Sequence, residues 1–393
     1  MPLRRGIALA AALLLASCGK MVPPSTSIPT PVPPAGTTAL TAGVRAGPQI
    51  ASLGLRKDDA ATSLASFRES CPRLLARTDG SGLTRNADWQ ASCTAAAGWP
   101  ASDAPSFFAR FFEAAQIGDG NAHATGYYEP EIAGVRSPKP GYAVPVYRAP
   151  PDLVRARVGD APPLSSGKQP FGRYDERGRF VPYHDRAQID DGALAGKRLE
   201  IGWAADPIEF AFLQIQGSGR LRAPDGSVMR IGYAGQNGHP WTGLGQMMRE
   251  RGLIGDGPGQ VSGSMQGIMQ WLRANPREGR EMMRRDRSYV FFRELTGDGP
   301  IGALGVPVRP NASVAADPRF VPLGAPVWLR VNRNEASGLW IAQDTGGAIK
   351  GANRFDTFWG AGQSARTTAG GMSARGSALV LLPKGTLDRL GAR

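Results

Sequence analysis

Residues 341–360 read IAQDTGGAIKGANRFDTFWG and place two aspartates close together in one short segment. Asp344 ends an apolar run and precedes two glycines, which allow a backbone to approach a ligand closely. Asp356 has aromatic neighbours on both sides, and such an apolar setting raises a carboxyl pKa, as a general acid requires. The segment predicts a catalytic acid at Asp356 with Asp344 in support. The alternative is that both are ordinary turn or cap residues.

The triplet Asp344-Thr345-Gly346 is also the local signature of one half of an aspartic protease. That class of enzyme needs two such aspartates sharing a proton. The sequence has no second Asp-Thr-Gly or Asp-Ser-Gly after a comparable apolar run. The protease interpretation is therefore disfavoured.

The chain around this segment is rich in short apolar runs separated by glycine and proline. Such spacing is typical of a compact β-barrel. The clearest predicted strands after residue 288 are 289–292, Pro326–Val331, 339–342 and 378–382.

The upstream chain is predicted to contain both helices and strands. Residues 50–125 look helical, with Phe107, Phe108, Phe111 and Phe112 at helix spacing and Pro105 in the first turn. The apolar run 208–213 looks like a strand. Met265, Ile268, Met269 and Leu272 mark a helix that Asn275-Pro276 ends.

The N-terminus resembles an export signal. Arg4 and Arg5 precede an apolar run that is too short to span a bilayer, and the run ends at Cys18. This pattern predicts a lipoprotein in which Cys18 is lipidated, and Gly19 after it favours the outer membrane, facing the periplasm. The alternative is an ordinary cleaved signal. The proline-rich residues 19–47 are predicted to be an extended tether.

Charge and cysteine content narrow the class of protein. Lys and Arg exceed Asp and Glu by 46 to 33, which suits an anionic partner, although the basic residues form no dense run. Export argues against nucleic acid as that partner.

Cys71 and Cys93 would form one disulfide in an oxidising compartment. The three histidines are scattered, so we expect no metal site and no cofactor.

Several motifs in a fixed order resemble the membrane-bound lytic transglycosylase A family from about residue 70 to 385. The spacing between Asp344 and Asp356 is about one residue longer than that family leads us to expect. The motifs are GYYEP at 126–130, FLQIQGSG at 212–219, GYAGQNGH at 232–239, YVFFR at 289–293, GALGVP at 302–307 and the 344–356 segment.

The resemblance implies a mainly β fold: a double-psi β-barrel that holds an inserted, smaller β-rich domain, with some peripheral helices. The implied division is a signal peptide at 1–18, the tether at 19–47, an N-terminal part packing with the barrel at 48–130, the inserted domain at 131–285 and a three-aspartate barrel domain at 286–393.

The resemblance also implies a function. The family cleaves the β-1,4 bond between N-acetylmuramic acid and N-acetylglucosamine of peptidoglycan without water, leaving a 1,6-anhydromuramoyl end. Asp356 matches its catalytic aspartate, with Asp344 and Asp317 as supporting residues. We expect a monomer, anchored to the membrane by lipid, with peptidoglycan strands and other cell-wall enzymes as partners. The alternatives are a conventional glycoside hydrolase of peptidoglycan and a non-catalytic wall-binding lipoprotein.

Polar and aromatic residues in or shortly after these motifs are candidates for binding sugar, because aromatic rings and amides contact sugars well. For each of them the alternative is core packing or strand pairing. The candidates are Tyr127, Tyr128, Glu129, Gln214, Gln216, Ser218, Trp241 and Trp359.

Overall fold

The structure is a computed structural model that describes residues 37–164 and 167–392. The predicted signal peptide, the lipidation site Cys18 and most of the tether lie outside the described residues. Within the described ranges, no helix combines the length and the apolar character that crossing a bilayer requires.

The strands are numbered here in chain order. They are β1 (Val44–Ala46), β2 (Phe112–Ile117), β3 (Asn121–Glu129), β4 (Glu131–Val135), β5 (Val144–Tyr147), β6 (Val154–Arg155), β7 (Phe171–Tyr174), β8 (Phe180–Val181), β9 (Glu200–Ala204), β10 (Ser218–Arg222), β11 (Val228–Gln236), β12 (Val290–Glu294), β13 (Ser313–Ala316), β14 (Pro326–Val331), β15 (Gly338–Asp344), β16 (Arg354–Ala361) and β17 (Ser373–Pro383).

Helices alternate with these strands, and short 3-10 helices cover Ile50–Leu53, Asn86–Trp89 and Ala101–Asp103. The α-helices are α1 (Ala39–Ala42), α2 (Lys57–Leu74), α3 (Gln90–Gly98), α4 (Ala104–Phe111), α5 (Arg186–Asp190), α6 (Pro207–Gln216), α7 (Leu244–Glu250), α8 (Met265–Ala274), α9 (Pro276–Arg285), α10 (Gly362–Gly370) and α11 (Thr386–Leu390).

The largest sheet closes on itself. Its strand order is β1-β2-β17-β14-β15-β13-β16-β3, and β17 also pairs with β3. Six of these strands therefore form a closed ring, in which β3 runs parallel to β16 and β13 runs parallel to β15. Strand β3 comes from the N-terminal part of the chain and the other five ring strands from the C-terminal part, so the ring needs both.

The chain between β3 and β13 builds a second, separate set of sheets. Six strands pair in the order β12-β11-β10-β4-β9-β5, and β6, β7 and β8 form a small sheet of their own. Strand β12 pairs with β11 along its whole length, as far as Glu294. The predicted boundary at residue 285 thus falls before the last strand of this sheet.

The N-terminal helices belong to the barrel core, and this differs from the predicted mainly β fold with peripheral helices. Phe67 of α2 is fully buried and contacts Trp89, Phe107 and Phe112 with ring centroids 5.4–6.2 Å apart. A disulfide joins Cys71 of α2 to Cys93 of α3. The architecture is therefore mixed, since helices supply one wall of the barrel core.

The predicted strand at 208–213 is wrong, because these residues lie in helix α6. Asp206 caps the helix by accepting hydrogen bonds from the backbone of Ile208 and Glu209, at 2.7 and 3.3 Å. Pro207 occupies the first turn, and Gly217 ends the helix in a left-handed conformation. A short apolar run buried on most sides does not distinguish a helix from a strand by its periodicity.

The other predicted strands and the helix with Met265 are confirmed, but the helical prediction for residues 50–125 is wrong after Phe111, where β2 and β3 follow. Pro326–Val331 is β14, and the runs at 339–342 and 378–382 lie within β15 and β17. The methionine-rich stripe lies on α8, which ends where Asn275-Pro276 begins the next helix. Helix α4 ends at Phe111, and Phe112 already starts β2.

Candidate active site

Asp356 lies in the middle of β16, opposite Thr125 on the parallel strand β3. The Thr125 hydroxyl donates a hydrogen bond of 2.7 Å to Oδ1 of Asp356. Arg354, two residues earlier on β16, donates from Nη2 to the Thr125 oxygen over 3.0 Å. The Oδ2 atom of Asp356 accepts no hydrogen bond from the residues that the structure describes. One carboxyl oxygen is thus held and the other is open for chemistry.

A β-bulge brings Asp344 beside this group. Strand β15 pairs with β13 as Val314 to Ala342 and then Ala315 to Asp344, so the register skips Gln343. Ala315 is also the partner of Asp356 on the other side. Residues that are directly opposite share a face of the sheet, and the two aspartates are two strand spacings apart, about 10 Å between backbones. Without the bulge, Gln343 would stand opposite Ala315 instead.

Asp344 is fixed by hydrogen bonds to both of its oxygens. Its Oδ1 accepts from the backbone of Ala303 at 2.8 Å and of Thr345 at 2.9 Å. Its Oδ2 accepts from the Tyr127 hydroxyl at 3.1 Å. Tyr127 lies on β3, two residues after Thr125, so one strand holds both aspartates.

The site shifts its ionisable groups towards their neutral forms. Burial raises the pKa of Asp356 to about 6, and the nearby Asp344 adds to this, while Arg354 and the Thr125 hydrogen bond oppose it. Burial also raises the pKa of Asp344, against the hydrogen bonds that it accepts. The pKa of Tyr127 is raised well above its usual value, by burial and by both aspartates. A carboxyl with a pKa near 6 can donate and recover a proton close to neutral pH.

Asp317 has a different environment from the other two aspartates. It is buried, accepts from Arg319 Nη2 at 2.7 Å and from the Gly351 backbone at 2.9 Å. Burial alone would raise the pKa of Asp317, but these hydrogen bonds outweigh it and lower the pKa. No hydrogen bond joins Asp317 to Asp344 or Asp356 within the described ranges. Its place in the fold is to hold the end of the loop that follows Asp344.

The GYYEP motif is mostly buried, which changes the role predicted for it. Glu129 is 1% exposed and forms ion pairs with Arg220 at 2.7 Å and Arg230 at 3.3 Å. Tyr128 is buried, and its hydroxyl points to the sulfur of Met265 at 3.9 Å. Neither side chain is presented to a sugar here. Tyr127 acts on Asp344 instead.

The glutamines of the FLQIQGSG motif also bond within the protein. Gln214 is buried, accepts from Arg186 at 2.7 Å and donates to the Val290 carbonyl at 3.1 Å. Gln216 is half-buried and accepts from the backbone of Tyr128 at 3.1 Å. Ser218 is half-buried at the start of β10. Gln216 and Ser218 retain surface for a ligand, whereas Gln214 does not.

The two candidate tryptophans differ in exposure. Trp241 is 42% exposed and could stack on a sugar ring. Trp359 is half-buried, with its ring centroid 5.7 Å from that of Trp340. The Nε1 atom of Trp359 is buried and has no hydrogen-bond partner among the described residues. This indole N–H lies on β16, three residues after Asp356, and faces Gly126 of β3.

Sequence reasoning missed Thr125 and the backbone of Ala303, which donate to Asp356 and Asp344, and Arg354, which donates to Thr125. Arg354 was detectable, because residues two apart on a strand share a face. Thr125 immediately precedes the GYYEP motif but is far from Asp356 in sequence, so only strand pairing reveals it.

Comparisons with known proteins match most of the described chain. The model of the MltA specific insert domain matches residues 123–293, and that of the 3D domain matches residues 312–382. The membrane-bound lytic murein transglycosylase A of Vibrio cholerae is 31% identical over 282 residues, which cover 68% of each chain. The protein of the same name from Escherichia coli K12 is 32% identical over 273 residues, covering 67% of this chain and 66% of that one.

Solved structures are similar over a larger part of the chain. MltA from Neisseria gonorrhoeae, in a monoclinic crystal form, has a TM-score of 0.73 and 37% identity, covering 90% of this chain and 96% of that one. A membrane-bound lytic murein transglycosylase from Agrobacterium tumefaciens has a TM-score of 0.75 and 29% identity, covering 88% and 99%. E. coli MltA with bound chitohexaose has a TM-score of 0.59 and 28% identity, covering 83% and 89%.

Proposed function

The chain belongs to the membrane-bound lytic murein transglycosylase A family, and on that premise we propose that it cleaves the β-1,4 bond between N-acetylmuramic acid and N-acetylglucosamine in peptidoglycan. The cleavage uses no water and leaves a 1,6-anhydromuramoyl end. The observation that carries this proposal is Asp356, a carboxyl with a raised pKa, one oxygen held by Thr125 and one oxygen open.

Asp356 acts first as an acid and then as a base. Its proton passes from Oδ2 to the glycosidic oxygen, and the bond from that oxygen to C1 of the muramic acid breaks. The 6-hydroxyl oxygen of the same sugar then bonds to C1, and its proton returns to Asp356. No atom is gained from solvent, and the attacking group is already on the substrate, which favours the ring-closing step.

The neighbours of Asp356 keep this cycle in place. Thr125 donates to Oδ1, so the transferable proton lies on Oδ2. The donors on both oxygens of Asp344 favour its carboxylate form, whose negative charge favours the proton on Asp356 and the positive charge that develops at C1. Asp317 supports the site indirectly by holding the 345–351 loop to the barrel through Gly351.

A conventional hydrolase is the main alternative, because it also uses two carboxyl groups. Its second carboxylate must act as the base that activates water or as the nucleophile. Both oxygens of Asp344 already accept hydrogen bonds, from Ala303 and Thr345 on one side and from Tyr127 on the other. These hydrogen bonds fix Asp344 and support an electrostatic role for it. The third possibility is a wall-binding protein without activity, and the raised pKa of Asp356 argues against it.

We infer that the closed ring of six strands is the double-psi barrel and that the sheets between β3 and β13 form the inserted domain. The glycan then lies between these two parts, where β16 presents Asp356. The bound chitohexaose of the E. coli relative supports a glycan strand as the ligand. Gln216, Ser218, Trp241 and Trp359 are the candidate contacts that keep accessible polar or aromatic surface.

We also infer a location in the cell envelope, consistent with the relatives' names, with lipid attached to Cys18 and the enzyme facing the periplasm. Growth with radiolabelled palmitate tests this inference. Label should follow the wild-type chain into the outer-membrane fraction and be absent from Cys18→Ala. Label that is retained by the variant contradicts lipidation at Cys18.

Digestion of purified peptidoglycan in heavy-oxygen water tests the reaction type. Transglycosylation incorporates no solvent oxygen, so mass spectrometry should find unlabelled anhydro ends. A hydrolase would instead give reducing ends that carry the heavy isotope. Binding without any released product would identify a wall-binding protein.

A further inference from the structure

A basic cavity lies on the barrel side of the molecule, close to the loop between Asp344 and Asp356. Its volume is about 220 Å³. The last turn of α2, the chain after it and the loop after β13 form most of the wall, and Lys168 reaches it from the inserted region. The basic residues that line the cavity are Arg77, Arg85, Lys168 and Arg319.

The positive charge in this cavity is poorly compensated. The acidic lining residue is Asp79, which already accepts from the backbone and hydroxyl groups of Ser81 and Thr84 at 2.7–3.0 Å. Arg319 is paired with Asp317. Arg85 and Lys168 are exposed, and neither side chain has an ion pair or hydrogen bond within residues 37–164 and 167–392. Two cations therefore remain free to bind an anion.

Hydrogen bonds connect this cavity to the catalytic loop from two sides. Arg77 donates to the Ala303 carbonyl at 3.3 Å, and the N–H of the same residue holds Asp344. Arg319 pairs with Asp317, which holds the end of the loop through Gly351. Arg77 and Arg319 therefore link the cavity wall to the groups that hold Asp344 and the loop after it.

We propose that the cavity binds a free carboxylate of the peptide carried by muramic acid. This rests on the proposed function, since it assigns a subsite to the same glycan substrate. Arginine matches a carboxylate in shape and charge. A peptide of three to five residues extends at most roughly 10–18 Å from its sugar. The peptide-bearing strand is then a better substrate for this enzyme than bare glycan.

Steady-state kinetics on two matched substrates test this subsite. One substrate is uncrosslinked peptidoglycan strands that bear peptides, and the other is the same strands after an amidase has removed them. The test variant is the full chain with Arg85→Gln and Lys168→Gln. The control carries Arg251→Gln and Arg280→Gln, which remove the same charge from exposed arginines of the inserted region that line no part of the cavity.

The test variant should lose about tenfold in kcat/KM on peptide-bearing strands, through a higher KM, as expected for one lost charge-assisted hydrogen bond. On bare strands it should stay within about twofold of wild type, and the control should do so on both substrates. An equal loss on both substrates, or no loss on either, overturns the subsite. If the wild type makes no anhydro ends from either substrate, the proposed function itself is overturned, and the subsite with it.

Discussion

Thr125 and Asp356 lie opposite each other on the parallel strands β3 and β16, and the threonine hydroxyl donates to Oδ1 of the aspartate over 2.7 Å. One strand comes from the N-terminal part of the chain and the other from the C-terminal part. The Asp356 carboxyl is therefore oriented only when both parts have closed the barrel. Arg354 extends the relationship, because it donates to the same threonine oxygen.

Replacing Thr125 with valine should shift the pH dependence of the reaction. Burial raises the pKa of Asp356, and the hydrogen bond from Thr125 partly offsets this rise. Loss of the hydrogen bond should therefore raise the pKa of Asp356 above about 6. Because the acid form starts the reaction, the alkaline limb of the kcat/KM profile should move to higher pH. Activity at the optimum should fall about tenfold from poorer orientation. Thr125→Ser, which retains the hydroxyl, should keep the wild-type profile; a valine profile that does not move contradicts this role.

Replacing Asp356 with asparagine should stabilise the fold at neutral pH. The native pKa of Asp356 is about 6 against an ordinary 3.8, so the native state binds its proton more tightly than the unfolded state. Wild-type stability therefore falls as pH rises through this window. The variant should gain on the order of 1–3 kcal/mol in unfolding free energy at pH 7 and little at pH 4. Urea denaturation at both pH values measures this, with the exposed Asp256→Asn as control. An equal gain at both pH values would point to a packing effect instead.

Replacing Asp317 with asparagine should destabilise the fold. Its carboxylate is buried and binds Arg319 and the Gly351 backbone, so the change should cost about 1–3 kcal/mol at pH 7. These bonds lower the pKa of Asp317 in the folded protein. Their contribution to the unfolding free energy is therefore fully present above the ordinary pKa of an aspartate, and it is lost as the pH falls through the lowered value. Variant and wild type should converge in acid. Denaturation curves over this pH range check the prediction, and a variant as stable as wild type at pH 7 would show that Asp317 does not hold the loop.

Much of the barrel could be predicted from the sequence, because its strands are short apolar runs bounded by glycine and proline. The run Pro326–Val331 is a strand with those bounds. Helix α6 could not be predicted in the same way, since its apolar residues surround most of the helix. The capping residue Asp206, followed by Pro207, is a local signal for the start of a helix. This signal is stronger evidence than the apolar run itself.

The candidate site was predictable where chemistry and neighbouring residues coincide in sequence. The aromatic neighbours of Asp356 predict a raised pKa for its carboxyl. Burial in the structure raises that pKa, as predicted. Two features depend on pairing between distant strands and leave no local trace. One is the bulge at Gln343, which places Asp344 opposite Ala315. The other is the burial of Glu129 against Arg220 and Arg230, which removes it from the sugar-binding candidates.

The most direct test of the central claim is the yield of 1,6-anhydro muropeptides from purified peptidoglycan with wild type and Asp356→Asn in parallel. Asparagine keeps the shape of the side chain and its contact with Thr125 but cannot carry the proton. The wild type should release anhydro products, and the variant should release them at least about a hundredfold more slowly, the size of a general-acid contribution. A variant within about tenfold of wild type, folded as judged by its denaturation curve, contradicts the assignment of Asp356 as the acid and base.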